Sequence, residues 1–215
     1  VRAVLTVIDP PTVDRLHFWA LQVGFGGPGG GGGAHLGLQW YGAHPGSTAA
    51  NWGGYAPGGG ELRGGPLAVP SATGNPNTGD LPWRPGDPYR LVVRRAPAPA
   101  PDGAAAWQGI VVDLVRDHEL VLRELWGGGT HLTGPMVWSE VFADCDAPSS
   151  AVRWSELEVV DADGVVHRAR RVRLNYQRID DGGCAATDAC LDSVGVVQRT
   201  SVPRRHRQGT ALAVP

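Results

Sequence analysis

Two short apolar stretches joined by glycine limit what this chain can fold into. The first reads His17-Phe-Trp-Ala-Leu-Gln-Val-Gly-Phe25 and the second His35-Leu-Gly-Leu-Gln-Trp-Tyr41; between them Gly26 to Gly33 is all glycine except Pro28. Both have strand length and aromatic or branched composition, so the pair reads as a β-hairpin. Side chains alternate across a strand. His17, Trp19, Leu21, Val23 and Phe25 therefore share one face, with Phe18, Ala20 and Gln22 on the other. On the second strand Leu36, Leu38 and Trp40 oppose His35, Gly37, Gln39 and Tyr41. Neither face of the first strand is polar, as expected of a strand buried on both sides.

The glycine run is no phosphate cradle, because such loops lead from a strand into a helix and this one leads into another strand. Elsewhere the chain repeats the strand pattern. Residues 1–8, 89–95, 107–115, 120–126, 132–142, 153–160, 165–176 and 194–199 read as strands, about ten in all with the hairpin. Asp161-Ala-Asp-Gly164 forms a hairpin turn. No segment carries a helical period. The expected fold is all-β, an antiparallel β-sandwich of jelly-roll type, with residues 1–215 as a single domain. Residues 42–88, rich in Gly, Pro and aromatics, read as a long loop over one face, with one short strand around Leu67 to Val69. Residues 200–215, with Arg204, Arg205 and Arg207, read as a solvated tail.

Composition excludes several functions. All 19 basic residues are arginine, and the net charge is -2. A nucleic-acid binder needs a basic surface to neutralise phosphates, so no nucleic-acid partner is expected. Abundant Ala, Gly, Pro, Val and Arg without Lys point to a genome rich in G and C, as in actinobacteria. No apolar run is long enough to span a membrane as a helix. Val1 to Ile8 is strand-like and closed by Asp9-Pro-Pro, unlike a leader peptide. A cytoplasmic location is expected if the chain starts near its native N-terminus, and secretion if a leader was removed. Three cysteines leave at least one thiol free, and none has metal-ligand spacing with histidines, so neither a metal nor a cofactor is expected.

Several strings together resemble a family of uncharacterised, mostly bacterial proteins with a concanavalin A-like or jelly-roll β-sandwich. These are Phe18-Trp-Ala-Leu-Gln22, His35-Leu-Gly-Leu-Gln39, Trp83-Arg-Pro-Gly-Asp-Pro-Tyr-Arg-Leu91, Trp107-Gln-Gly109 with Val111-Val-Asp-Leu114, and Val137-Trp-Ser-Glu140. The resemblance spans most of residues 15 to 185. It implies a scaffold shared with lectins, carbohydrate-binding modules, lyases and hydrolases, and a bridge between Cys145 and Cys184.

The candidate site follows from residue chemistry. Tryptophan supplies 8 residues although aromatics make up only 7% of the chain. Sugar rings and aromatic ligands stack on such side chains, which makes Trp40, Trp52, Tyr55 and Trp138 candidate platforms, each with a core-packing alternative. Gln22 and Gln39 sit in the similar strings Ala-Leu-Gln and Gly-Leu-Gln, and a hairpin that brings both amides to one face suits a polar ligand. Glu140 shares one strand face with Trp138 and Phe142, so a carboxylate stands between two aromatics. An apolar surround raises a carboxyl pKa and makes it a general acid or base. The alternative is a solvated Glu140 or one paired with Arg153. His17 and His44 are candidates for a second proton-transfer group. Glu124, on the preceding strand, is a possible second carboxylate.

Three functional classes fit. The first is a binding module for a carbohydrate or another polar small molecule. The second is a cofactor-independent acid/base enzyme using Glu140 and a histidine, such as a cyclisation or condensation of Pictet-Spengler type in natural-product biosynthesis. The third is an interaction domain without a small ligand.

Overall fold

The computed structural model describes residues 1–215. Its strands are β1 (Arg2–Asp9), β2 (His17–Gly26), β3 (Gly33–Trp40), β4 (Thr48–Tyr55), β5 (Thr78–Asp80), β6 (Pro88–Arg95), β7 (Ala106–Asp113) and β8 (His118–Trp126). They continue as β9 (His131–Val141), β10 (Ala151–Val160), β11 (Val166–Arg168), β12 (Arg171–Arg173), β13 (Thr187–Leu191), β14 (Val196–Thr200) and β15 (Ala211–Ala213). Pro45–Ser47 and Ile179–Asp181 are single 3-10 turns. No helix is long and apolar enough to cross a membrane.

The fold is an all-β antiparallel sandwich. An eight-stranded sheet runs β13-β14-β10-β1-β6-β7-β8 with β11 added to β10, and a five-stranded sheet runs β5-β4-β3-β2-β9. β12 and β15 form a separate two-stranded ribbon. Alternation explains the packing. Trp19, Leu21, Val23, Leu36 and Leu38 project from the five-stranded sheet onto Leu5, Val7, Leu91, Val93 and Trp154 of the larger one, and all are buried. Removing each such side chain from water contributes about 1.5–3 kcal/mol.

Residues 42–88 depart from the expected loop. Thr48–Tyr55 is a full strand paired along its length with β3, and the short strand inside the segment is Thr78–Asp80 rather than Leu67 to Val69. The latter makes a backbone bond from Ala68 N–H to the Leu122 carbonyl without becoming a strand. The expected strand 165–176 breaks at Ala169-Arg170 into β11 and β12. Nor is 200–215 a solvated tail. Ala211–Ala213 pairs with β12, and the Arg204 guanidinium lies 4.0 Å from the Tyr176 ring centroid while its Nε donates to the Thr187 carbonyl at 3.0 Å. Cys145 and Cys184 are bonded and Cys190 is free.

Candidate functional site

The outward face of the five-stranded sheet gathers the polar candidates. Cross-strand register sets them in rows. Asp80, Ala49, Gln39, Phe18 and Glu140 are successive partners across β5, β4, β3, β2 and β9. In the next row stand Thr78, Asn51, Gly37, Ala20 and Trp138, and in the third Gly53, His35, Gln22 and Met136. Ala49, Gly37, Ala20 and Gly53 give this face a low floor. Phe18 falls across it, since a Cβ added at Gly37 would lie 2.8 Å from Phe18 Cε2. Asn77 covers Gly53 in the same way, at 3.1 Å from a Cβ placed there.

Because the Phe18 ring turns toward His35 and Trp138, at centroid distances of 5.6 and 5.2 Å, the space above Phe18 in its own row is left to Gln39 and Glu140. One close and one wider antiparallel pair place these two residues about 10 Å apart at Cα. Gln39 is 8% exposed. Its carbonyl accepts the Trp83 indole N–H at 3.1 Å, but its side-chain amide has no partner within the protein. The amide end is not sealed in the core, so it is open to a group from outside.

Glu140 is exposed to solvent, and partial desolvation holds its carboxyl above the usual carboxylate range. No cation neutralises it. Arg153, its expected alternative partner, is bonded to Asp192 at 2.6 Å. Glu124 stands in the other sheet and accepts from Gln108 Nε2 at 3.0 Å, so it forms no carboxylate pair with Glu140.

Trp138 donates its indole N–H to Gln22 Oε1 at 3.0 Å. Gln22 and Gln39 do share a face, but they stand four residues apart in register along β2, opposite His35 and Phe18 respectively. Tyr55, 51% exposed, closes the end of the face, with its ring 6.2 Å from His35. Burial pushes the His35 imidazole below its usual range, so it stands neutral among Phe18, Trp138 and Tyr55. Asn51 donates from Nδ2 to Thr78 Oγ1 at 2.7 Å and leaves its buried Oδ1 unpartnered.

The remaining candidates lie elsewhere. His17 is on the core-facing side of β2, where Nδ1 meets the Arg15 carbonyl at 2.9 Å and burial lowers its pKa. Trp40 packs on Trp83 and donates to the Val13 carbonyl. Trp52 is fully buried and donates to the Trp107 carbonyl at 3.1 Å. These three are core residues by parity, since each alternates with the outward-facing set. His44 is buried beyond β5 with Nδ1 2.7 Å from Asp80 Oδ1. It lies at the opposite end of the row from Glu140, roughly 19 Å away across four strand spacings. The His44 contact, its largest influence, holds Asp80 below the usual carboxylate range. That contribution is present above the unfolded-state pKa of an aspartate and is lost as pH falls through the depressed folded value. His44→Asn is therefore expected to lower thermal stability at neutral pH, to lose that difference in acid, and to leave any pH-rate midpoint unchanged. A shifted midpoint would return His44 to the proton-transfer machinery.

Sequence reasoning missed Phe18, His35 and Asn51. The signal for His35 was that it shares a strand face with Gln39. No group of three or more His, Cys, Asp or Glu gathers in a metal-ligating arrangement.

No family model matches this chain, and no curated protein does. Among solved structures, the chain is similar to a scytalido-glutamic peptidase with a peptide-based transition state analog. The identity is 12%, the TM-score 0.41, and the match covers 94% of this chain and 91% of that one.

Proposed function

We propose that this sheet face is the site of a cofactor-independent acid/base enzyme that hydrolyses the carbon–nitrogen bond of an amide in an extended chain. One observation carries the reading: an unpaired Glu140 carboxyl with a raised pKa faces, across Phe18, the side-chain amide of Gln39, which has no partner within the protein although most of the residue is buried. A carbonyl placed between them meets a base on one side and a hydrogen-bond donor on the other. Glu140 takes a proton from water, whose oxygen adds to the carbonyl carbon. The carbonyl oxygen gains the negative charge and accepts from the Gln39 amide. When the intermediate collapses, the carbon–nitrogen bond breaks and the leaving nitrogen takes the proton back from Glu140. An extended chain crossing the strands would lie over Phe18, which covers Gly37, and Trp138, His35 and Tyr55 supply apolar contact.

A second reading, binding of a carbohydrate or another polar small molecule without turnover, is favoured by the aromatic faces of Trp138 and Tyr55 beside the amide of Gln22. One experiment separates the two. Casein-derived peptides and neutral oligosaccharides are incubated with the protein in heavy-oxygen water and analysed by mass spectrometry. New peptide termini carrying one heavy oxygen per cut support hydrolysis, with kcat/KM falling as pH drops through the raised carboxyl pKa. Retained sugar with intact peptides supports the second reading, and neither result removes both.

A further inference from the structure

Strand β9 has a partner on one side only. It ends the five-stranded sheet, and Phe142 N–H donates to the Leu16 carbonyl. Antiparallel pairs alternate between bonded and unbonded, so Glu140, Trp138 and Met136 also turn their backbone groups toward β2. Val137, Ser139 and Val141 therefore turn theirs outward. Gln198 Nε2 approaches one of them, the Val137 carbonyl, at 3.4 Å. The others face a groove of about 590 Å³.

The segment 172–177 and the bonded pair Cys145–Cys184 also line that groove. Its floor includes Trp19, Val196 and Gln198. A second groove of about 460 Å³ continues along Pro135, Met136 and Val137 to Arg168, Arg171 and Arg173. Met136, Val137, Val172 and Arg173 line both, so the two make one trough beside the free edge. Such an open edge is a template for another strand, and proteins commonly blunt it. Here Pro135 and the positive φ of Gly134 interrupt only its first half; Met136 to Val141 is left regular.

Charge says what kind of strand fits. Residues 166–215 hold nine arginines against four aspartates, whereas residues 1–165 hold ten arginines against 17 acids. Most arginines near the trough are engaged: Arg168 and Arg2 with Glu158, Arg199 with Asp9, Arg204 with Tyr176. Arg171 and Arg173 are exposed and bonded to no carboxylate. Glu140 lines the other end of the trough, which repels an acid there.

We infer that the trough beside β9 binds an extended acidic polypeptide segment, which pairs its backbone with Ser139 and Val141 and sets its carboxylates against Arg171 and Arg173. Alternate residues of the segment point apolar side chains at Val137, Val172 and Val196. This is strand addition to a sheet edge, where the backbone gives affinity and side-chain pockets give selectivity. Glu140 borders both this trough and the proposed hydrolytic row, but the groups that would hold the segment, Ser139, Val141, Arg171 and Arg173, lie outside the Gln39–Glu140 row.

Fluorescence anisotropy tests it with a fluorescein-labelled peptide of about ten residues alternating glutamate and valine. Comparison probes are the same peptide with lysine for glutamate, its copy N-methylated at alternate residues, and an oligothymidylate of equal length. The acidic peptide is expected to bind, and to weaken by about tenfold in Arg171→Glu/Arg173→Glu and with added salt. The N-methylated copy is expected to bind weakly to the unaltered protein, which reports on backbone pairing without a change to β9. The inference is overturned if the acidic peptide does not bind, if the lysine peptide binds equally, if the arginine variant or N-methylation has no effect, or if the oligonucleotide binds more tightly.

Discussion

Glu140→Gln is expected to abolish most turnover while leaving the protein folded. The loss should be about 10²–10⁴-fold in kcat, the usual contribution of a positioned general base, with KM little changed. The structure separates this from a folding defect. Glutamine keeps the shape of the side chain, no hydrogen bond or ion pair within the protein ends on the Glu140 carboxylate, and its outer side is open to solvent. The pH dependence of stability points the same way. Burial raises the folded-state pKa of Glu140, so the folded chain holds this proton more tightly than the unfolded one. Ionisation then disfavours folding as pH rises from the ordinary glutamate range through the raised value. The glutamine variant should match the unaltered protein in acid and equal or exceed its thermal stability at neutral pH. A variant that keeps its turnover would show that the base lies elsewhere. One that unfolds would make Glu140 a structural residue.

Gln39 provides the matched comparison. Its amide has no internal partner, so Gln39→Ala removes no hydrogen bond that holds the fold. In the proposed reaction it removes the donor to the developing oxyanion, an interaction that strengthens in the transition state. Loss should again fall on kcat more than on KM. The midpoint of the pH-rate profile should stay where Glu140 sets it.

Alternation within each strand was legible in the residues, and it set the core. It also held information that the choice of site residues did not use. Parity places Gln39 and Trp40 on opposite faces, and likewise Gln22 and His17. A sheet in a two-layer sandwich has one face on the core and one toward solvent, so members of such pairs do not line a common site. Trp40 and His17 belonged with Leu38 and Trp19. What no local pattern carried was register. Gln39 and Glu140 are a hundred residues apart, and they meet only because each pairs with Phe18. Strand β4 escaped for a different reason. Thr-Ala-Ala-Asn-Trp-Gly-Gly-Tyr has the small residues and glycines of a loop, but close packing demands them: a Cβ at Gly54 would lie 2.7 Å from Ala34 Cα and Cβ. Tertiary contact overrode propensity there, and with it went the position of Asn51. The resemblance to known sandwiches supplied the Cys145–Cys184 bridge, which cysteine spacing alone leaves among alternatives.

Trp52→Ala should have the largest effect on stability, about 3–5 kcal/mol, the range for truncating a buried aromatic. Domains of this kind are held by only about 5–15 kcal/mol in total, so the loss removes a large share. Three features make the site intolerant. The indole has no exposed surface. It lies so close to β7 that a Cβ at Gly109 would come within 2.6 Å of its Cδ2 atom, which leaves glycine as the residue that fits there. Its N–H also donates to the Trp107 carbonyl at 3.1 Å, a hydrogen bond that the variant loses at a cost of about 0.5–1.5 kcal/mol within that loss. Trp138→Ala offers the contrast. That ring lies on the half-exposed outward face, and its removal frees Gln22 to meet water, so stability should change far less while ligand or substrate handling suffers more. Denaturant titrations of both variants, read beside the hydrolysis and sugar-retention assays, check the pair. If Trp52→Ala were as stable as Trp138→Ala and lost only ligand, Trp52 would be a platform after all, and the division of tryptophans by strand parity would fail.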